Sequence, residues 1–147
     1  MGKKGNETVL VVDDDHIALD LIELMIAPLG YQVLLATTGE EALELAGKKG
    51  GKIDLLLTDV ILPGLTGPGL VKQFIKKYPK TKVLFMSGYL CPSIAHQDVV
   101  HSEKAFVLKP FTTNTLAKKM RAVLQSNYYP VFDDEDDTEG ILQIPVE

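Results

Sequence analysis

The chain has 147 residues, 46% of them hydrophobic, which suits one domain with tails; its single cysteine, Cys91, excludes an intramolecular disulfide. It shows neither a signal-peptide pattern nor an apolar run near the roughly 20 residues of a membrane span, so we expect a soluble, cytoplasmic protein without membrane insertion. The net charge is −5, but residues 1–132 hold fifteen basic and thirteen acidic residues, a balance of +2 that gives no electrostatic case for nucleic acid binding.

Five strand-length apolar runs recur along the chain. They are TVLVV at 8–12, YQVLLA at 31–36, IDLLLT at 53–58, KVLFM at 82–86 and AFVL at 105–108. Each is apolar at nearly every position rather than at alternate positions, which is typical of strands covered on both faces.

Helix-like stretches separate and follow these runs, at 16–28, 39–47, 67–78, 93–101 and 113–125. The periodicity of the first predicts a core face of Ile17, Leu21, Leu24 and Met25, with Gly30 as a stop. The predicted core faces of three others are Ala42, Leu43 and Ala46; Leu70, Val71, Phe74 and Ile75; and Leu116, Met120, Val123 and Leu124. Asp15 and Thr38 are predicted as N-caps.

This alternation of strand and helix predicts the fold. Parallel strands joined by right-handed helical crossovers form a doubly wound α/β sheet with helices on both faces. Ligands bind such sheets outside the carboxyl ends of the strands, near the point where the strand order reverses. The strand ends are therefore the place to look for chemistry.

Four of the five strand ends carry a charged or hydroxylic side chain. The first ends on three aspartates at 13–15, the third on Asp59, the fourth on Ser87 and the fifth on Lys109. A carboxylate cluster without thiolates or imidazoles suits a hard cation, Mg²⁺ or Mn²⁺. One carboxylate can then act as a nucleophile towards phosphorus, with the lysine and hydroxyl holding the phosphoryl oxygens.

The motifs VLVVDDD, LLLTDVILPGLTG, VLFMSGY and FVLKPF, in this order and at these strand ends, resemble the receiver domain of two-component response regulators. The resemblance covers about residues 7–126. It implies a flavodoxin-like (βα)5 fold with a five-stranded parallel sheet. On this interpretation 1–6 is an N-terminal extension and 127–147 an acidic tail.

The resemblance also implies roles for individual residues. Asp59 matches the phosphoacceptor, which receives a phosphoryl group from a histidine kinase or phosphotransfer protein. Asp14 matches the direct Mg²⁺ ligand and Asp13 a partner that acts through water. Asp59 itself and the backbone carbonyl of Ile61 would complete the metal ligands. The implied cofactor is Mg²⁺, with Mn²⁺ as a substitute.

Three further positions match the family pattern. Lys109 matches the lysine that pairs with the phosphoryl group, and the peptide bond to Pro110 is expected to be cis. Ser87 matches the switch hydroxyl, and Phe106 the aromatic side chain that turns inward. The expected protein is a switch that assists its own phosphorylation and dephosphorylation, not an enzyme acting on another substrate.

Two other function classes are alternatives to a phosphorylation switch. An interaction module on the same fold would lack an acid or the lysine, yet Asp13, Asp14, Asp59 and Lys109 are all present. A haloacid-dehalogenase-like phosphatase would need a second aspartate where Ile61 stands. His16, His96 and His101 lie outside any phosphotransfer-helix pattern, so we assign them no relay role.

The sequence does not identify the downstream partner of the expected receiver or the protein to which the receiver belongs. Three origins fit: a stand-alone receiver, the C-terminal receiver of a hybrid histidine kinase, or an excised piece of a longer protein. We expect a monomer or a weak phosphorylation-dependent dimer with an unknown downstream partner. The acidic tail is predicted either to be disordered or to lie on a basic face of Lys118, Lys119 and Arg121, and ILQIPVE could add an edge strand.

Overall fold

The structure, a computed structural model, describes residues 6–88, 106–126, 131–132 and 142–143. Its strands are β1 (Thr8–Val12), β2 (Gln32–Ala36), β3 (Leu55–Asp59), β4 (Lys82–Ser87), β5 (Phe106–Leu108), β6 (Val131–Phe132) and β7 (Leu142–Gln143). Its helices are α1 (His16–Ile26), α2 (Gly39–Lys48), α3 (Gly67–Lys77) and α4 (Thr113–Gln125), with a 3-10 turn at Ala27–Leu29. The helix predicted over 93–101 lies outside the described residues.

The first five strands form one parallel sheet in the order β2-β1-β3-β4-β5. The predicted doubly wound architecture is therefore confirmed. From β1 the chain first adds β2 on one side and then crosses back to add β3 on the other. The strand order reverses between β1 and β3, so a crevice opens at their carboxyl ends. β6 and β7 pair antiparallel in a separate sheet, not on the edge of the main one.

Alternate residues of β1, which pairs with β2 on one side and β3 on the other, enter two separate hydrophobic cores. Leu10 and Val12 of β1 join a core covered by α2 and α3, whereas Val9 and Val11 join a core covered by α1 and α4. Because successive side chains of a strand point to opposite faces, an all-apolar strand can fill both cores. This explains why the strands show no polar alternation.

The predicted core faces of α2, α3 and α4 are confirmed, but that of α1 is wrong. Leu19 and Ile22 are buried together with Ile26, and Met25 is partly buried. Three predicted core residues are exposed instead: Ile17, Leu21 and Leu24, with exposed fractions of 71, 51 and 71%. Eight of the eleven residues of α1 are apolar, so two faces satisfy a helical period and only contact with the sheet selects one.

The helix starts follow capping rules. Asp15 accepts a hydrogen bond from the backbone N–H of Ile17 at 3.0 Å, and Thr38 accepts one from Glu41 at 3.0 Å. Both predicted N-caps are confirmed. Gly30 has a φ of 105°, the left-handed conformation that ends the 3-10 turn after α1.

Two long-range contacts attach α4 to the sheet. Arg121 donates hydrogen bonds to a Glu7 carboxylate oxygen at 3.0 Å and to the Tyr31 hydroxyl at 2.9 Å. The buried Lys82 ammonium donates to backbone carbonyls at the end of α4, including that of Leu124 at 3.3 Å. The sequence predicts Arg121 to be part of a basic face on which the acidic tail could lie. Because its guanidinium is paired with Glu7, Arg121 is not available as an unpaired positive charge for the tail.

The described stretches contain no helix with both the length and the apolar run needed to cross a membrane.

Candidate functional site

The carboxyl ends of four strands meet at one rim of the sheet. Asp13 directly follows β1, Asp59 and Ser87 are the last residues of β3 and β4, and Lys109 directly follows β5. Of these four residues, Asp59 and Ser87 line an open depression of about 440 Å³. Its other lining residues are Asp14, Ile61, Leu62, Pro63 and Gly88. Residues that the sequence places up to 96 positions apart are thus neighbours.

Lys109 forms ion pairs with two carboxylates of the rim, the buried Asp13 and the partly buried Asp59. Its ammonium nitrogen lies 2.8 Å from an Asp13 oxygen and 3.0 Å from an Asp59 oxygen. Asp13 is 1% exposed, so its charge requires such a partner. The second Asp13 oxygen accepts the backbone N–H of Asp15 at 3.0 Å, which links the rim to the cap of α1.

The three carboxylates among the four predicted metal ligands lie close together. Asp13, Asp14 and Asp59 each offer a carboxylate oxygen, and these oxygens lie within 4.8 Å of one another. The three carboxylates and the Lys109 ammonium carry a formal charge of −2. An all-oxygen, dianionic cluster open to solvent at Asp14 fits a hard divalent cation such as Mg²⁺, whereas a zinc or copper site would offer imidazole or thiolate.

Burial and charge shift the ionisation of both partners of the central ion pair. Burial raises the pKa of Asp59, although the hydrogen bonds from Lys109 and from the Ile61 N–H oppose the shift. Burial alone would lower the pKa of Lys109, but the hydrogen bonds and negative charges of Asp13 and Asp59 raise it above its ordinary value. Lys109 therefore stays a cation at neutral pH, as a group that holds a phosphoryl dianion must.

The residues 60–66 form the site loop between β3 and α3. The backbone N–H of Gly67 donates to the Val60 carbonyl at 3.0 Å, which closes the base of this loop. The Ile61 N–H donates to an Asp59 carboxylate oxygen at 3.2 Å. Leu62 is buried, whereas Ile61 is 50% exposed. Ile61 thus belongs to the site through its backbone, and the metal role of its carbonyl stays a prediction.

The predicted switch residues both lie inside the fold. Ser87 is 2% exposed, and its carbonyl accepts the backbone N–H of Lys109 at 2.7 Å. Phe106 is 8% exposed and belongs to the core under α2 and α3. The predicted cis peptide between Lys109 and Pro110 is confirmed. The roles of Ser87 and Phe106 in switching stay predictions.

Gly67 is a site residue that the sequence reasoning missed. A Cβ atom there would overlap the backbone oxygen of Asp59 and lie 2.9 Å from both the Cα and the carbonyl oxygen of Val60. The first turn of α3 therefore packs directly on the backbone of Asp59. The two glycines that flank Pro68 were the available signal, but sequence alone does not show which of them faces a backbone.

The arrangement can perform one kind of chemistry. A partly buried carboxylate, a cluster of carboxylate oxygens that suits a hard cation and a lysine ammonium lie together at one rim, beside an open depression. These are the parts that phosphoryl transfer requires: positioning and neutralisation of negative charge.

Comparison with known proteins gives an independent result. Residues 9–121 match the family model described as response regulator receiver domain. The sensor kinase CckA of Brucella abortus is 33% identical over 122 residues, which cover 82% of this chain and 13% of that protein. A probable transcriptional regulator, ycf27, of Guillardia theta is 29% identical, covering 92% of this chain and 52% of that protein.

A solved structure agrees with the fold. The crystal structure of the receiver domain of a hybrid histidine kinase CckA is 35% identical to this chain, with a TM-score of 0.66, and covers 80% of this chain and 99% of that domain. The chain thus corresponds to nearly the whole of a receiver domain, but spans only 13% to 52% of the two full-length relatives described above.

Proposed function

We propose that this chain, which belongs to the response regulator receiver domain family of two-component systems, accepts a phosphoryl group on Asp59 and thereby switches a protein-binding surface. The observation that carries the proposal is the convergence of Asp13, Asp14, Asp59 and Lys109 at one rim. We assign the receiver module to 7–126, a span that begins just before β1 and ends just after α4. The lone Cys91 favours a reducing, cytoplasmic location.

The proposed transfer step uses the residues that lie together at the rim. A carboxylate oxygen of Asp59 attacks phosphorus in line, and the bond from phosphorus to the donor breaks: P–N of a phosphohistidine, or P–O of acetyl phosphate with release of acetate. Lys109 stabilises the charge on the phosphoryl oxygens. Asp13, Asp14, Asp59 and the Ile61 carbonyl would hold Mg²⁺, which supplies positive charge to offset the acids and the incoming group.

In this scheme the chain is a phosphoacceptor switch and not an enzyme with a separate substrate. It takes the group from a donor protein and assists both gain and loss of the phosphoryl group. If the chain is part of a hybrid protein, the histidine kinase activity would belong to the remainder of that protein.

The direct test is incubation with acetyl phosphate and Mg²⁺, followed by measurement of the intact mass. We expect a gain of one phosphoryl group that requires the divalent ion and is lost in Asp59→Asn. Asp15→Asn is the matched control, because asparagine caps a helix as well as aspartate does and Asp15 has no place in the proposed site. An unchanged mass of the wild-type protein with several phosphodonors would contradict the proposal.

Ser87 is proposed as the group that reports phosphorylation. Phosphorylation adds about two negative charges at the rim, and the hydroxyl at the end of β4 can move to contact them. Ser87→Ala is expected to be phosphorylated like the wild type, while partner binding no longer distinguishes the two forms. The measurement is partner affinity with and without acetyl phosphate, and equal discrimination by the variant would refute this role.

The exposed apolar face of α1 is proposed as part of the donor's docking surface. The donor must reach Asp59, so it covers the rim, and α1 begins beside that rim at His16. Its residues Ile17, Leu21 and Leu24 follow at helical spacing and extend the covered area with apolar surface. The donor that fits is a histidine kinase or phosphotransfer protein with an apolar strip beside its phosphohistidine.

Ile17→Glu combined with Leu21→Glu tests this surface. Transfer from a cognate kinase is expected to slow on the order of tenfold because apolar docking area is lost, while labelling by acetyl phosphate stays unchanged. Leu29→Glu is the matched control, since Leu29 is also exposed but lies beyond the far end of α1. Equal rates of kinase transfer for all three proteins would rule out this surface.

A further inference from the structure

We propose that Leu65 is a positioning residue for the Mg²⁺ site, and that it acts by pinning the site loop between α2 and α3. This inference rests on the proposed function, because it concerns the metal site of that function. It adds a residue that touches neither metal nor phosphoryl group. The juxtaposition that carries it is a leucine side chain seated between two glycines, Gly39 and Gly69.

The seat of Leu65 is defined by two contacts. A Cβ atom on Gly39, the first residue of α2, would lie 2.8 Å from Cδ2 of Leu65 and 3.1 Å from its Cβ and Cγ. A Cβ atom on Gly69, in the first turn of α3, would lie 3.1 Å from Cδ1. The Leu65 side chain therefore fills a space that exists only because both helices present glycine there.

Backbone conformation does not explain these glycines. The described glycines with positive φ are Gly30, Gly50, Gly51 and Gly64; Gly39 and Gly69 are not among them. Alanine could adopt the backbone conformation of either residue. What matters at these two positions is therefore that glycine has no side chain. The absence of side chains at Gly39 and Gly69 thus leaves room for the side chain of Leu65.

The loop needs such an anchor because Ile61, whose carbonyl is the proposed metal ligand, does not have a buried side chain to hold it. Ile61 is half exposed, and its N–H makes a bond of 3.2 Å to Asp59. The base of the loop is closed at Val60 and Gly67, and its outer part is held by buried Leu62 and by Leu65. Leu65 packs against the core under α2 and α3, which connects the position of the Ile61 backbone to α2.

Leu65→Ala empties the seat. Because the loop then has one fewer anchor, we expect Mg²⁺ affinity to fall by about tenfold, as for other residues that orient metal ligands indirectly. The probe is Mg²⁺ alone, titrated into the full chain and followed through the amide NMR signals of residues 59–62. A thermal melt of each protein without metal shows that the variant is folded under the conditions of the titration.

Gly39→Ala disturbs the same contact from the other side. Rotation of Leu65 can move Cδ2 away, but its Cβ, which would lie 3.1 Å from the new methyl group, is attached directly to the backbone, so we expect the loop to shift by a few tenths of an ångström. We again expect weaker Mg²⁺ binding. In the double variant Gly39→Ala with Leu65→Ala, the new methyl group enters the emptied seat, so the loss is expected to be smaller than the sum of the single losses.

Gly47→Ala is the matched control on the same helix, since a Cβ there meets nothing within 4 Å. It should bind Mg²⁺ as the wild type does. Wild-type affinity in folded Leu65→Ala and Gly39→Ala, or losses that add in the double variant, would overturn the proposal. If wild-type protein itself binds no Mg²⁺, the proposed function fails first, and the two failures are therefore distinguishable.

Discussion

Replacing Lys109 by methionine will slow phosphorylation by acetyl phosphate on the order of a hundredfold, the typical cost of removing one group that stabilises transition-state charge. The ammonium lies 2.8 Å from Asp13 and 3.0 Å from Asp59, and among the described residues it is the cation that pairs with both carboxylates. Methionine keeps the length and apolar stem of the side chain. The loss is therefore one of charge rather than of packing.

The same substitution will also destabilise the protein in the absence of Mg²⁺. Asp13 is almost fully buried and would lose its cationic partner, at a cost of about 2 kcal/mol in the free energy of unfolding. Added Mg²⁺ should recover more stability in the variant than in the wild type, because it replaces the missing cation.

Urea unfolding with and without Mg²⁺, together with intact-mass kinetics, checks both effects of Lys109→Met. Lys118→Met is the control, since Lys118 is an exposed lysine in the middle of α4 and is not one of the residues that pair with Asp13 or Asp59. Phosphorylation of Lys109→Met at the wild-type rate would remove Lys109 from the mechanism.

Gly67→Ala will lower the free energy of unfolding by about 3 kcal/mol, towards the upper end of overpacking effects. All three atoms that the new Cβ would meet are backbone atoms of Asp59 and Val60, so no side-chain rotation relieves the clash. Either the first turn of α3 or the end of β3 must move. Because β3 carries Asp59, phosphorylation should slow as well.

Denaturant unfolding measures the stability of Gly67→Ala, and Gly47→Ala again serves as control. Gly47 lies near the end of α2 with open space around it, so alanine there should leave stability unchanged or raise it by up to about 1 kcal/mol. Equal stability of Gly67→Ala and the wild type would mean that α3 does not pack on Asp59 as closely as the structure has it.

Most of the fold could be predicted from the sequence because the strands are continuous apolar runs and the helices alternate with them. The face of α1 could not. In α2, α3 and α4 polar residues mark the outer side, but in α1 only His16, Asp20 and Glu23 interrupt the apolar residues. The choice of face is made by contacts with the sheet and with α4, and α4 lies far away in the sequence.

The principal site residues could be predicted because parallel strands all end at one rim. Asp13, Asp59, Ser87 and Lys109 each stand at a strand end, and topology alone brings them together. Asp15, the third aspartate after β1, could be distinguished from the predicted metal ligands because it stands where the first helix needs an N-cap. The roles that depend on metal or phosphate are proposals drawn from this placement.

The supporting contacts of the site could not be predicted. Gly67 and the Leu65 seat depend on atoms of other segments lying within 3.1 Å of where a Cβ atom would stand, a closeness that no residue pattern encodes. The bond from Arg121 to Glu7 joins residues 114 positions apart. Such contacts arise only after the sheet has been assembled.

The most direct measurement identifies the residue that carries the phosphoryl group. The chain is incubated with acetyl phosphate and Mg²⁺, the acyl phosphate is reduced with borohydride to the corresponding alcohol, and the peptides are sequenced by mass spectrometry. Our account predicts that Asp59 is converted, and that no conversion occurs without acetyl phosphate. Conversion of Asp13 or Asp14 with Asp59 intact, or of no aspartate at all, would contradict it.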